Sequence, residues 1–259
     1  MQWVTLLADT PLGMALDGYV DPDGRFSMKR STAGAAETFA ALAPLGVAGV
    51  IVSGNGARAE AFTHAQRASV DASRYQSVDT LVQTRGLTVG ELTGPEAVVD
   101  GLHAAGWDPR GASVVAIGAN ADATALLGRL ASSGVRELTV VEASAAEAEQ
   151  ALPDRRNGVT LRALHERNPA IDRVLSAADA VLLSKPLAAV NDLVLGPHLT
   201  LVELMPDLPT TVRQRLDTLG GAVVPWHDLA AHQTAWALGR ILELDVDAKP
   251  LLQALHAHR

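Results

Sequence analysis

The chain has 259 residues, enough for one large α/β domain or two smaller ones. A formal net charge of −8 leaves no basic field for nucleic acid, and the absence of cysteine excludes disulfides and thiolate metal sites and fits a reducing cytoplasm. No apolar stretch is long enough to span a bilayer, and Met1-Gln2-Trp3 runs directly into a strand pattern instead of a signal peptide, so a cytoplasmic protein with no nucleic-acid and no membrane partner is expected.

Trp3 to Ala8 reads as a buried strand and Asp21-Pro22-Asp23-Gly24 as a turn. Ala33 to Ala43, alanine-rich with Phe39 and Leu42 at helical spacing, predicts a helix capped by Ser31 or Thr32 and stopped at Pro44 and Gly46. Val47 to Ser53 predicts a second buried strand, followed by the loop Gly54-Asn55-Gly56 and a helix from Ala59 to Val70. Ser77 to Val82 and Leu87 to Val89 read as two short strands of a hairpin turning at Arg85-Gly86, and Pro95 opens a helix running to Ala105.

Residues 113–142 are the most informative stretch. The run Val114-Val115-Ala116-Ile117 meets Gly118, an alanine- and leucine-rich helical pattern follows to Leu130, Gly134 stops it, and Leu138-Thr139-Val140-Val141 ends on Glu142. This is the layout of a Rossmann βαβ half with altered turn chemistry. Where three glycines would serve a dinucleotide, only Gly118 is present: Asn120 and Ala121 occupy the later positions, and Asp122 puts a carboxylate where an anion would dock. Two unit charges about 5 Å apart at an effective dielectric of about 20 repel by roughly 3 kcal/mol. Asp122 also reads simply as a helix-start acid favoured by the helix dipole. Two more strands are predicted, Ala180 to Leu183 and Leu199 to Leu204. After them come a helix over Thr210 to Leu219, a short strand over Gly221 to Val224, and a helical region from Leu229 to His256 broken near Pro250. Strands alternating with helices predict parallel α/β architecture, with Val114 to Ile117 and Val47 to Val52 as parallel members of their sheets.

In order, these pieces resemble the shikimate dehydrogenase family. Ser77-Val78-Asp79-Thr80-Leu81-Val82 occupies the place of that family's A-V-N-T-L-V hairpin motif, and Gly90-Glu91-Leu92-Thr93-Gly94-Pro95 that of its G-x-N-T-D-G segment. Leu183-Ser184-Lys185-Pro186-Leu187 echoes the N-A-T-P-L-G loop, and Ala231-His232-Gln233-Thr234-Ala235 the substrate-facing H-Q-A-A-like helix start. The resemblance implies a two-domain α/β fold. Its parts are a substrate-type domain over 1–100, a Rossmann-like doubly wound domain over 101–228, and C-terminal helices over 229–259 returning to the first. It further implies NADP-linked reduction of a ring ketone to shikimate, with a lysine and an aspartate bracketing the reacting hydroxyl.

Those groups are missing at the matching positions. The family lysine would fall in Gly54-Asn55-Gly56-Ala57-Arg58, but no lysine lies between Lys29 and Lys185; Arg58 is the nearest cation, and a guanidinium does not exchange its proton as an ammonium can. The partner aspartate aligns with Gly94. Asp79 replaces an asparagine that would donate to substrate hydroxyls, which an ionised carboxylate cannot do. The S-L-S pair that holds the substrate carboxylate is absent from Leu7-Ala8-Asp9-Thr10-Pro11-Leu12, and Met205-Pro206-Asp207 stands where the family has a tyrosine. The histidine spacings, His227 with His232 and His256 with His258, match no metal-ligand pattern, so no metal is expected.

The expectation is therefore a diverged shikimate-dehydrogenase-like protein with lost or altered activity and an inter-domain small-molecule cleft. The alternatives are an active NAD(P)-dependent oxidoreductase on a shikimate- or quinate-like polyol acid, and a non-catalytic partner-binding protein. Arg58 and Asp79 are the only catalytic candidates, Thr93 and Gln233 the substrate-binding ones, and Gly118, Asn120, Asp122 and Glu142 the cofactor-binding ones. Glu142, placed to accept from a ribose 2′-hydroxyl, favours NAD over NADP if a dinucleotide binds; its other reading is a strand-end acid facing solvent.

Overall fold

The computed structural model of the protein describes residues 1–8, 11–118, 121–154, 158–185, 196–206 and 210–257, and the backbone alone of Asn55, Ala121, Asp122 and Thr210. By its internal contacts the chain divides into two compact units, Met1–Ala97 with Ala230–Arg259, and Val98–Leu229. Both are α/β, and among the described residues each holds one six-stranded sheet.

The first unit begins with β1 (Gln2–Leu7), α1 (Pro11–Ala15), β2 (Phe26–Arg30), α2 (Ala35–Ala41) and β3 (Gly49–Val52). It continues with α3 (Asn55–His64), β4 (Arg67–Ala68), α4 (Val70–Tyr75), β5 (Thr80–Thr84), β6 (Leu87–Glu91) and the start of α5 (Gly94–Ala104), whose residues from Val98 onward belong to the second unit. The sheet order is β2-β1-β3-β5-β6-β4. β1 lies parallel to β2 and to β3, whereas β3 meets β5 antiparallel and β5 meets β6 as a hairpin through Arg85 and Gly86. The strand predicted over Val47 to Val52 is thus parallel on one side only. Asp21, 4 % exposed, receives Arg25 on both carboxylate oxygens, which staples the turn leading into β2. Its carboxyl is held below the ordinary carboxylate range by the Arg25 side-chain hydrogen bonds.

Three local expectations are corrected here. Helix α2 starts after Gly34, not at Ser31 or Thr32; Ser31 instead pairs its hydroxyl with Thr38 at 2.7 Å. The predicted loop Gly54-Asn55-Gly56 is the first turn of α3, because Gly54 adopts φ 100° and lets the helix begin at once. The single helix expected from Ala59 to Val70 is interrupted by β4 and resumes as α4. Ser69 caps α4 by accepting the Ala72 N–H, a cap residue overlooked inside an apparently continuous pattern.

The second unit carries β7 (Ser113–Ile117), α6 (Ala121–Ser132), β8 (Glu137–Glu142), α7 (Ala145–Gln150), β9 (Thr160–His165), α8 (Ile171–Ser176) and β10 (Ala180–Leu183). Then follow β11 (Thr200–Glu203), α9 (Thr210–Leu219), β12 (Ala222–Val224), α10 (Trp226–Leu242) and α11 (Ala248–Ala257), of which α11 and the residues of α10 from Ala230 onward belong to the first unit. Every pairing in this sheet is parallel, in the order β9-β8-β7-β10-β11-β12. That is the doubly wound order, with the chain reversing direction of growth between β7 and β10. All five residues of β7 are buried, as a central parallel strand requires. Val114, Ala116, Leu138, Val140, Leu182 and Val202 pack with α5 and α6 residues on one face; Val115, Ile117, Val141, Val181, Leu183 and Leu201 form the other core with Leu175 and Leu216.

β9 and β2 were not legible as strands, since Arg162 and His165 in one and Lys29 and Arg30 in the other break the apolar pattern. Ser144 and Glu147 form a full capping box at α7. The C-terminal break falls at Glu243, which turns through φ 54°, and not at Pro250, which sits in the first turn of α11 where proline is tolerated. Among the described residues no helix is long and apolar enough to cross a membrane.

Leu182, fully buried between β7 and β11, anchors the doubly wound core. Leu182→Ala is expected to cost about 2–5 kcal/mol in urea unfolding; a loss under about 1 kcal/mol would show that this strand is not central.

Candidate functional site

Parallel strands end together, so loops and helix starts gather at the carboxyl edge of each sheet. In the first unit, Asp79 lies just before β5, Thr93 and Gly94 just after β6, and Arg58 on α3 after β3. Asp79 is 4 % exposed and its carboxylate is fully engaged. Oδ1 accepts the Thr93 N–H at 2.8 Å and the Thr93 and Thr80 hydroxyls at 2.9 Å each; Oδ2 accepts the Gly94 N–H at 2.6 Å. The N–H groups of Thr93 and Gly94 belong to the start of α5, which has no intrahelical acceptor for them. A charge-assisted cap of this kind suits a carboxylate at a helix N-terminus.

The geometry gives the surroundings of four of the sequence-derived candidates. Asp79 is a buried cap for α5. Thr93 commits both its N–H and its hydroxyl to Asp79. Arg58 donates its Nε to the Val52 carbonyl at 3.1 Å, and its own carbonyl accepts the Val78 N–H at 3.2 Å, so it ties α3 to the end of β3. Gln233 is not at a helix start: α10 begins two turns earlier, at Trp226. Its amide and the Asp79 carboxylate flank Gly94. A Cβ at Gly94 would stand 2.9 Å from Asp79 Oδ2 and 3.4 Å from Gln233 Nε2, so a side chain at position 94 would press on the Asp79 carboxylate.

In the second unit the carboxyl edge carries Gly118 after β7, Glu142 ending β8, Glu166 after β9, and Ser184-Lys185 after β10. Gly118 turns with φ 81° and donates its N–H to the Val141 carbonyl at 3.1 Å. Ser184 donates its hydroxyl to the Gly118 carbonyl at 2.5 Å. Lys185 runs over Gly118 and places Nζ 2.9 Å from Glu142 Oε2 and 2.5 Å from Glu166 Oε1. Glu142 is therefore a half-buried member of an ion triad, its side chain 14 % exposed, and not a strand-end acid facing solvent. Asn120 lies outside the described residues. Asp122 belongs to α6, and its side chain likewise lies outside what is described.

Burial opposes the Lys185 ammonium, but the hydrogen bonds it donates to Glu166 and Glu142 outweigh that cost and raise its pKa above the ordinary 10.5. The stabilisation it contributes is complete below pH 10.5 and is lost only as pH rises through the raised value. Further along the edge, Glu203 is 1 % exposed, accepts Arg213 at 2.6 Å and takes the first N–H of α10, from Trp226, at 3.1 Å. Glu166 and Glu203 were not singled out from sequence, and Lys185 was read only within the loop 183–187, with no ion-pair role. Glu166 follows a strand whose pattern was not recognised.

No family model matches the chain, and no curated protein matches it either. Solved structures do. Quinate dehydrogenase from Corynebacterium glutamicum, in complex with NAD, superposes with a TM-score of 0.82 over 99 % of each chain at 18 % identity. The fold is that of the shikimate and quinate dehydrogenases. Mycobacterium tuberculosis shikimate dehydrogenase gives 0.79 over 99 % of this chain and 100 % of its own at 21 % identity. The ligand-free 5-ketofructose reductase of Gluconobacter sp. strain CHM43 gives 0.79 over 99 % and 98 % at 17 % identity. At these identities the shared property is the fold.

Gly94→Asp should lower the melting temperature, because a second carboxylate is forced against Asp79, and the added change Asp79→Asn should recover most of the loss. Asp79→Ala alone, which strands the N–H groups of α5, is expected to cost about 2 kcal/mol or more in chemical denaturation. A Gly94→Asp variant as stable as the parent would contradict the close approach.

Proposed function

We propose that the protein is a diverged shikimate-dehydrogenase-like protein that has lost the family's hydride transfer and keeps a small-molecule binding role. The observation that carries this reading is the engagement of Asp79 by four donors around a glycine at position 94. By the family resemblance, a catalytic aspartate would stand at Gly94 and a substrate-binding asparagine at Asp79. The first has no side chain and the second is spent inside the fold. The lysine partner has no counterpart in 54–58, and Arg58 holds a backbone carbonyl with its Nε. Each missing acid or base typically costs about 10²–10⁴ in rate.

At the nucleotide edge the reading favours NAD over NADP. Glu142, Glu166 and Lys185 together carry one net negative charge where a 2′-phosphate would lie.

Purified protein with shikimate and either NAD or NADP should give no absorbance change at about 340 nm, the nicotinamide band that follows hydride transfer. Gly94→Asp alone should stay inactive, since groups acting as a unit are not restored one at a time. Steady turnover by the unmodified protein would sink the proposal. Calorimetry should find NAD bound more tightly than NADP, and the opposite order would refute the cofactor preference.

A further inference from the structure

Lys185 follows β10, yet its ammonium is bonded to Glu142 at the end of β8 and to Glu166 after β9. In this sheet β7 lies between β10 and β8. With neighbouring strands about 4.8 Å apart, β10 and β9 are roughly 14 Å apart, so the bridge crosses the whole mouth of the crevice at the switch point. The stem of Lys185 roofs Gly118: a Cβ there would meet Lys185 Cγ at 2.8 Å and Cβ at 3.1 Å. Open sheets of this order bind their ligands in that crevice, with the first turn approached by phosphate and the acid ending the second strand taken by ribose. Here the turn is covered by a lysine stem and the acid is taken by a lysine ammonium.

We propose that Lys185, clamped by Glu142 and Glu166, is a latch across the nucleotide crevice, and that a dinucleotide binds only by displacing Nζ from Glu142. The inference rests on reading the Rossmann edge as a nucleotide site. The latch lowers affinity twice over, since the incoming ribose diol must replace a charge-assisted bond at Glu142 and the pyrophosphate must move the stem off Gly118. Glu166 is the anchor that holds the lysine there, a positioning residue that itself need not touch the nucleotide.

The test is a variant that releases the latch without changing the local charge. Lys185→Ala with Glu166→Gln removes one positive and one negative group, leaves Glu142, and keeps the net charge of the cluster at one negative. NAD binding by calorimetry, with a melting curve to confirm folding, should tighten by about tenfold, equivalent to about 1.4 kcal/mol. Glu166→Gln alone, which keeps the stem but loosens it, should tighten binding less than the double variant and serves if the double variant fails to fold. If NAD binds the parent and the variants alike, or the parent more tightly, the latch is overturned while the nucleotide reading stands. If NAD binds none of them although the variants melt cooperatively, both the latch and the nucleotide reading fall.

Discussion

Parallel strands cannot be joined by tight turns, and that constraint organises the second unit. Each of its strands must be followed by a crossover, the crossovers cover both faces of the sheet, and the strands become apolar on both sides. β7 is the extreme case, with no exposed residue. Charged side chains of β8 and β11 sit at the strand ends. The first unit follows the same logic around β1 and departs from it at the β5–β6 hairpin, whose turn needs only Arg85 and Gly86.

Crowding of helix starts at these carboxyl edges creates a demand for acceptors, and here acidic residues meet it. Asp79 takes the first N–H groups of α5, and Glu203 takes the first N–H of α10 along with Arg213. Glu142 and Glu166 instead take Lys185. In a binding site of this architecture such edge groups face a ligand; in this chain the described ones face each other. A buried carboxylate with several donors is costly to disturb, because removing a partner leaves the others unsatisfied.

Much of the framework was legible in the sequence because it depends on local pattern. Val114 to Ile117, Leu138 to Val141 and Ala180 to Leu183 are apolar runs that only buried strands explain, and Gly118 and Gly134 mark the turns between them. Elements with mixed pattern escaped: Thr160 to His165 is an edge strand among the described residues, and it carries Arg162 and His165. Ser69 and Glu243 show the same limit at boundaries, where one capping or left-handed residue divides what periodicity reads as continuous.

The order of strand and helix patterns, the missing lysine between Lys29 and Lys185, and the glycine at position 94 follow from the residues alone. What Asp79, Thr93, Arg58 and Glu142 do with their polar groups was decided only by tertiary structure. A carboxylate's role depends on which donors surround it, and three of the four on Asp79 come from fourteen and fifteen positions along the chain, while the lysine on Glu142 comes from forty-three. Hydrogen bonds across such separations leave no periodic trace in sequence, since the chain between them is free to vary as long as the strands pair.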